Sequence, residues 1–508
     1  MMAPKAKPIM IQGTGSSVGK SILTTGLCRV FRNDGHNVAP FKSQNMALNS
    51  YITEDGGEMG RAQVVQAEAA GKKPDVRMNP ILLKPSTDQV AQVILLGEAV
   101  DSLGAVDYHT KKPELVSLVR SAYEGLAAEN DIIVIEGAGS PAEINLREND
   151  LVNMGMAEIA DAPVLLVGDI DKGGVFASLY GTIMLLSEEE RKRVKGMIIN
   201  KFRGDVKLLE PGLRQIEELT GIPVLGVVPY TELKIEDEDS LSERFRVKAE
   251  SHGKVNVEVL YLPHVSNFTD FDVFGMQEDV NLRYVMRGER IGDPDILIIP
   301  GTKTTMSDLQ FLRDSGLADQ IYELHRKGRM IIGLCGGFQI LGKTIQDPHH
   351  AESTIDEMPG LGLLDVDTVF ETIKTTTQVF GRVSGMRGAF EELNGMELKG
   401  YEIHMGHSYR RMGAPHIIDI YNRFGLDTEV ADGSVDETGK IIGTYVHGIF
   451  DNLLFTRKLV NIIRKEKGLD KLQAPLETYE DFKDKEYNKL AELLKSCLDM
   501  DKIYEILG

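Results

Sequence analysis

Basic residues are in short supply. Against 77 Asp and Glu stand 57 Lys and Arg in 508 residues, a formal charge of −20. A phosphate backbone needs a basic face, so no nucleic-acid partner is expected. Any anionic substrate must be met by local cationic patches, because the overall field repels it. Cysteine is equally scarce. Cys28, Cys335 and Cys497 lie too far apart for metal-ligand spacing or a disulfide framework, which points to a reducing cytoplasm. No stretch approaches the roughly 20 uninterrupted apolar residues of a membrane span. The opening MMAPKAKPIMIQG runs directly into a strand without the apolar core of a signal peptide, so no membrane partner is expected. Internal repeats and low-complexity tracts are absent too. What is there, 42% hydrophobic and 26% charged residues, is the balance of a soluble globular enzyme, and the length suggests two to four domains.

The first half alternates short apolar runs with helical stretches, the pattern of a parallel sheet covered on both faces. Strands are expected at Pro8–Gln12, Asn37–Phe41, Asp131–Ile135, Pro163–Val167, Gly196–Ile199 and Ile222–Val228, with a helix at Ser21–Arg32 that Gly35 ends. Several of these strands finish in polar residues at the carboxyl end, where open α/β sheets bind ligands. From Tyr230 to Lys254 the periodicity dissolves into charge, which reads as a linker. Strand signals resume at Val255–Leu262, Asp295–Ile299, Met330–Gly333 and Ile441–Val446. The expectation is therefore an α/β protein of two domains, each a mostly parallel sheet flanked by helices: 1–229, a linker 230–254, and 255–508. The Leu-, Lys- and Glu-rich end from about Thr478 is expected to pack as helices on the second domain.

Between the first strand and helix lies Gly13-Thr14-Gly15-Ser16-Ser17-Val18-Gly19-Lys20-Ser21. Small residues let backbone N–H groups approach phosphate oxygens, and the helix N-terminus adds partial positive charge. Lys20 would reach the β- and γ-phosphates, and the Ser21 hydroxyl would ligate Mg²⁺. Thr14 stands where the strict pattern wants glycine, so the loop is a shifted variant. That variant resembles the dethiobiotin synthetase group of P-loop enzymes, which use ATP to phosphorylate a carboxylate or carbamate. The resemblance implies Glu136 and Asp55 as metal ligands, each with a solvated loop acid as the alternative reading. It also places Asn200 at the adenine ring, where a simple loop Asn is the alternative.

Arg329-Met-Ile-Ile-Gly-Leu-Cys335-Gly-Gly-Phe-Gln reads as strand, tight turn and helix. A nucleophile at such a turn is strained and exposed, and the helix that follows favours thiolate. The backbone N–H of Gly336 is available for an oxyanion. His447 ends an apolar strand and is the expected base, with His404 and His407 as competitors. Gly-Leu-Cys-Gly-Gly-Phe-Gln with a later Tyr-Val-His-Gly resembles the triad-type glutamine amidotransferases. In that family the position of Gly301, within Pro300-Gly301-Thr302-Lys303, supplies an oxyanion-hole amide. Most members follow the base with Pro and then an orienting Glu, where this chain has Gly448 and Ile449. The third member is left open, with Asp451 and Glu402 as candidates, and a slow, ligand-dependent glutaminase is expected.

Longer stretches carry a more specific resemblance. They are Ala39-Pro-Phe-Lys-Ser-Gln-Asn-Met-Ala-Leu-Asn-Ser50, Glu136-Gly-Ala-Gly-Ser-Pro-Ala-Glu-Ile-Asn-Leu146, Gly168-Asp-Ile-Asp-Lys-Gly-Gly-Val-Phe176, Asn200-Lys-Phe-Arg-Gly-Asp205, Ser266-Asn-Phe-Thr-Asp-Phe-Asp272 and Gly400-Tyr-Glu-Ile-His-Met-Gly406. Together they resemble the cobyric acid synthase family over essentially the whole chain. The resemblance implies ATP- and L-glutamine-dependent amidation of four peripheral carboxylates of a corrinoid, adenosylcobyrinic acid a,c-diamide. ATP and Mg²⁺ are the implied cofactors. Lys42 is expected to assist at the phosphates, and Asp150 either faces the corrinoid or caps a helix. Rival readings are cobyrinic acid a,c-diamide synthase, cytidine triphosphate synthase, whose glutaminase keeps the His-Pro-Glu ending, and a partitioning-type switch ATPase carrying a dead glutaminase.

Overall fold

The computed structural model describes residues 6–85, 90–147, 150–235, 253–475 and 477–508, which form two compact units. In the first unit, strands β1 (Lys7–Gly13), β2 (Val38–Phe41), β3 (Ile132–Glu136), β4 (Val164–Asp169), β5 (Val194–Phe202) and β6 (Val224–Pro229) make one parallel sheet. Its spatial order is β6-β5-β4-β1-β3-β2. The strands are apolar on both faces because helices cover both, and Ile9, Ile11, Val134 and Leu165 are fully buried. Successive connections leave β1 in opposite directions, so the crevice of this doubly wound sheet opens beyond the ends of β1 and β3. Helix α1 (Lys20–Asn33) follows β1 directly.

The second unit has its own parallel sheet of β7 (Val255–Leu260), β8 (Val280–Val285), β9 (Ile296–Ile299), β10 (Met330–Leu334) and β13 (Ile441–Thr444), in the order β8-β7-β9-β10-β13. The short strand Ser434–Val435 closes its edge antiparallel. Between β10 and β13 the chain builds a second, largely antiparallel sheet on two long strands, β11 (Val366–Val383) and β12 (Glu397–Arg410). Polar residues such as Lys399, Glu402, His404 and His407 interrupt β12, so no continuous apolar run marks it.

Three boundaries differ from the sequence reading. Glu480–Gly508 belongs to the first unit, not the second. Its helices Tyr479–Cys497 and Met500–Leu507 place Leu490, Leu494, Leu498 and Ile503 in one core with Leu27 and Phe31 of α1. The approach is close because Gly26 offers no side chain: a β-carbon there would lie 2.3 Å from Leu494 Cδ1. Arg29, buried on α1, pairs with Asp484 at 2.8 Å and donates to Asn488. Leu48–Gly57, conversely, clusters with the second unit. Of the expected linker, residues 236–252 lie outside the described residues. Leu233 and Ile235 are packed into the first unit's core, and the Lys234 N–H donates to Glu486.

Leu494→Ala is expected to destabilise the first unit by about 2–5 kcal/mol, the range for removing a buried leucine. The earlier transition in urea unfolding reads it. An unmoved transition would show that the C-terminal helices add nothing to this core.

Candidate active site

In the first unit the phosphate loop has the expected form. Gly19 caps α1 with φ 96°, a left-handed conformation that disfavours any β-carbon, and one built there would sit 2.1 Å from Asn200 Nδ2. Gly13 packs beneath Val18, Thr14 N–H bonds Val167 O at 2.9 Å, and Gly15 and Ser16 lie at the open side of the loop. Lys20 Nζ lies 3.0 Å from Gly15 O and 3.2 Å from Gly139 O, so the ammonium already spans the loop.

Glu136 ends β3 and is buried. Its Oε1 accepts from Ser21 Oγ at 2.8 Å and from Lys42 Nζ at 3.0 Å, and its Oε2 accepts from Gln66 at 2.5 Å. Ser21 and Glu136 thus put two hard oxygens side by side at the first turn of α1, a set that fits Mg²⁺ beside a nucleotide's phosphates. Cys28 is fully buried, and its thiol is pushed far above its ordinary value, first by burial and then by the Glu136 charge, so it is no nucleophile.

Three residues take other positions than expected. Asp55 is exposed in a turn closed by Thr53 N–H on Gly57 O, and its carboxylate accepts the Thr53 hydroxyl. Asn200 is a clasp on the loop, donating Nδ2 to Val18 O at 2.9 Å. Beside it Lys201, which the sequence reading passed over, donates to Ser17 O at 2.7 Å. Asp150 takes the helix-cap role: its oxygens accept Val152, Asn153 and Gly155 N–H at 2.9, 3.1 and 3.0 Å where α2 (Met154–Ala160) begins.

In the second unit Cys335 stands between β10 and helix α3 (Gly336–Leu341) with φ 49° and ψ −109°, a strained conformation for a residue with a β-carbon. The turn is possible because Gly337 passes against β9: a β-carbon on it would meet Ile299 O at 2.0 Å. The Cys335 thiol donates to Ile403 O at 3.5 Å. Gly301 lies against the His447 ring and Gly336 against Thr302, which flanks Gly301.

His447 faces Cys335 on one side. On the other its Nδ1–H donates to Asp270 Oδ2 at 2.6 Å, and the second Asp270 oxygen accepts Gly448 N–H at 3.2 Å. Asp270 and His447 are 5% and 1% exposed, so water screens neither. Burial disfavours the imidazolium, but the Asp270 charge and the hydrogen bonds to Asp270 and Cys335 outweigh it and push His447 up to about 10. The open third position is therefore filled by Asp270, not by Asp451 or Glu402. Glu402 instead pairs with Arg423 at 2.7 Å. The competing histidines are otherwise engaged: His404 is stacked on Tyr445 and donates to Gly406 O, and His407 is exposed against Tyr409. Asp270 lies in Ser266–Asp272, a stretch that carried the family resemblance, yet its distance in sequence from His447 gave no sign of a role.

Among the described residues no group of three or more His, Cys, Asp or Glu is gathered to hold a metal, and no helix is long and apolar enough to cross a membrane. The family model of the CobQ/CobB/MinD/ParA nucleotide binding domain matches residues 9–241, and that of the CobB/CobQ-like glutamine amidotransferase domain matches residues 256–455. The cobyric acid synthase of Alkaliphilus metalliredigens is 55% identical, over 98% of this chain and 99% of its own. Those of Caldanaerobacter subterraneus and Streptococcus sanguinis are each 53% identical over 99% of both chains. With a likeness that covers 98–99% of the chain and family models matched in both units, the chain belongs to the cobyric acid synthase family.

Proposed function

We propose that this chain amidates the b, d, e and g carboxylates of adenosylcobyrinic acid a,c-diamide to give adenosylcobyric acid, using ATP and the side-chain amide of L-glutamine. The likeness to cobyric acid synthases over 98% of the chain carries this reading. It favours the cobyric branch over cobyrinic acid a,c-diamide synthase. A partitioning ATPase with a dead glutaminase is disfavoured, because it would have no use for a buried Asp270–His447–Cys335 set.

A carboxylate is a poor acyl donor. Its oxygen attacks the γ-phosphorus of ATP, ADP leaves, and the resulting acyl phosphate has a good leaving group. Gly13, Thr14, Gly15, Ser16, Val18 and Gly19 shape the backbone cradle for the phosphates. Lys20 and Lys42 bring positive charge to the transferring group, acting by position and electrostatics. Asn200 and Lys201 hold the loop in shape from below. Ser21 and Glu136 would hold Mg²⁺, which would neutralise charge at the phosphates.

In the second unit the Asp270 charge favours a proton on the buried His447 ring, which takes it from the Cys335 thiol. Cys335 attacks the glutamine amide carbon, and the amides of Gly301 and Gly336 receive the oxyanion. His447 gives its proton to the departing nitrogen, ammonia leaves, and water then cleaves the thioester to glutamate. His447 thus acts first as base and then as acid, with Asp270 fixing its tautomer. Ammonia attacks the acyl phosphate, phosphate leaves, and the amide forms. Expected surroundings are the cytoplasm.

Purified protein given cobyrinic acid a,c-diamide, ATP and glutamine should add four amide masses per corrinoid, and an unchanged corrinoid mass would refute the reading. Cys335→Ala is expected to lose glutamine-dependent amidation by about 10³-fold or more while ammonia-dependent amidation persists. Lys20→Ala should lose both by about 10³-fold; retained ammonia-driven synthesis would remove the loop from the chemistry. Asp270→Asn should lower glutamine hydrolysis about 10²–10⁴-fold. The substitution removes the charge that raises His447 and leaves the burial that lowers it, so the proton is lost at lower pH and the alkaline limb of the glutaminase profile moves down. An alkaline limb that stays in place would show that Asp270 does not tune His447.

A further inference from the structure

The turn that presents Asp270 is not capped by its own residues. Phe268–Phe271 forms one 3₁₀ turn, and Asn267, its N-cap, has φ 52° and makes no side-chain cap bond. A first N–H at such a turn needs an acceptor, and a buried one is costly to leave without. Asn49 provides it: its Oδ1 accepts Phe268 N–H at 3.1 Å. Asn49 is 2% exposed, and its Nδ2 finds no hydrogen-bond partner among the described residues, so the acceptor oxygen is its one polar contact there.

Asn267, freed from capping, faces the same segment. Its Oδ1 accepts Ser50 N–H at 3.1 Å, and its Nδ2 donates to Tyr401 Oη at 3.3 Å. The Tyr401 hydroxyl donates to Ser50 O at 3.3 Å, and Tyr51 packs edge-on against the Tyr401 ring. That ring is stacked on His447, with centroids 5.2 Å apart and planes at 18°, and the two residues exchange backbone hydrogen bonds. The Gln378 side-chain amide donates to Ile52 O, and Ile52 is buried with Tyr401 and Ile403, whose carbonyl accepts from Cys335. Asn49–Ile52 thus backs both partners of the imidazole, the acid at its Nδ1 and the ring on its face.

We infer that Asn49, placed more than two hundred residues before the glutaminase stretch, is a positioning residue for the Asp270–His447 pair, with Ser50 and Tyr401 completing the support. This rests on the glutaminase reading of Cys335 and His447. A hydrogen bond that fixes the start of the turn fixes where the Asp270 carboxylate meets His447, and small displacements of such a carboxylate reduce the rate without altering substrate binding.

The test is glutamate release from glutamine by the full chain, which does not depend on which corrinoid is the acceptor. If the unmodified protein releases no glutamate, the glutaminase reading itself fails. For Asn49→Ala, kcat should fall about tenfold with KM for glutamine within about twofold, and the alkaline limb of the pH profile should move to lower pH. Ammonia-dependent amidation should be unchanged. Asn49→Asp keeps the acceptor oxygen and loses no bonded donor, so it should recover kcat to within about threefold of the unmodified protein. Should Asn49→Ala fail to fold, Tyr401→Phe removes only the hydroxyl between Asn267 and Ser50 and should lower kcat in the same sense. The inference is overturned if Asn49→Ala hydrolyses glutamine at the unmodified rate. Equal loss of glutamine- and ammonia-driven synthesis, or no recovery in Asn49→Asp, overturns it as well.

Discussion

The second unit depends on the hydrogen bond between Asp270 and His447, 2.6 Å long and closed to water. A buried carboxylate alone would take up a proton, and a buried imidazole alone would give one up. In the pair the Asp270 charge holds the buried imidazole toward its charged form against the burial that opposes it. The strain at Cys335 follows from this requirement. A helix that begins one residue after the nucleophile must turn sharply to keep Sγ within reach of His447, and only the glycines after Cys335 let the turn pass so close to β9. The cost of the turn is borne by a rigid sheet whose strands β9, β10 and β13 are apolar on both faces.

The first unit is arranged around a buried carboxylate as well, but one that is held by donors instead of a single partner. Glu136 gathers a hydroxyl, an ammonium and an amide at the carboxyl end of the sheet. Removing Lys42 from such a pair would leave an uncompensated charge, a far greater loss than the net worth of the pair itself. With an overall charge of −20, the chain can receive a polyphosphate only where Lys20 and Lys42 reverse the local sign. The loop cradle, the helix end and these two lysines accomplish that within one crevice.

The parts of both sites that are local in sequence were legible. The phosphate loop and the nucleophile turn each lie within a strand–turn–helix, where spacing dictates geometry, and the strand ends that carry Glu136 and His447 follow from apolar runs. Asp270 was not legible, because its partner is 177 residues away and no periodicity links them. Asp150 and Asn200 are a different case. Their positions at strand and helix ends were foreseen, but such polar groups serve backbone needs first, and both are engaged by the chain's own N–H and C=O groups. Asp55 was named for the metal by resemblance alone, since no strand or helix end in its own stretch marks it. The antiparallel strands β11 and β12 escaped because polar residues interrupt both and leave no unbroken apolar stretch.

The misplaced C-terminal helices teach a more general point about amphipathic segments. A Leu-rich stripe states that a helix must be covered, and sequence distance says little about what covers it. Here the answer is written on α1, where Gly26 leaves a notch and Arg29 lies buried without a partner of its own among its helical neighbours' acids; Leu494 fills the notch and Asp484 meets the guanidinium. A helix near the N-terminus with a buried arginine and no acid in its first turn needs a carboxylate from elsewhere, since an unpaired charge in that core would cost several kcal/mol (about 3–5). Each unit is consequently discontinuous. The first is closed by the last thirty or so residues, and the second encloses a short stretch from before residue 60, so neither corresponds to an uninterrupted piece of the sequence.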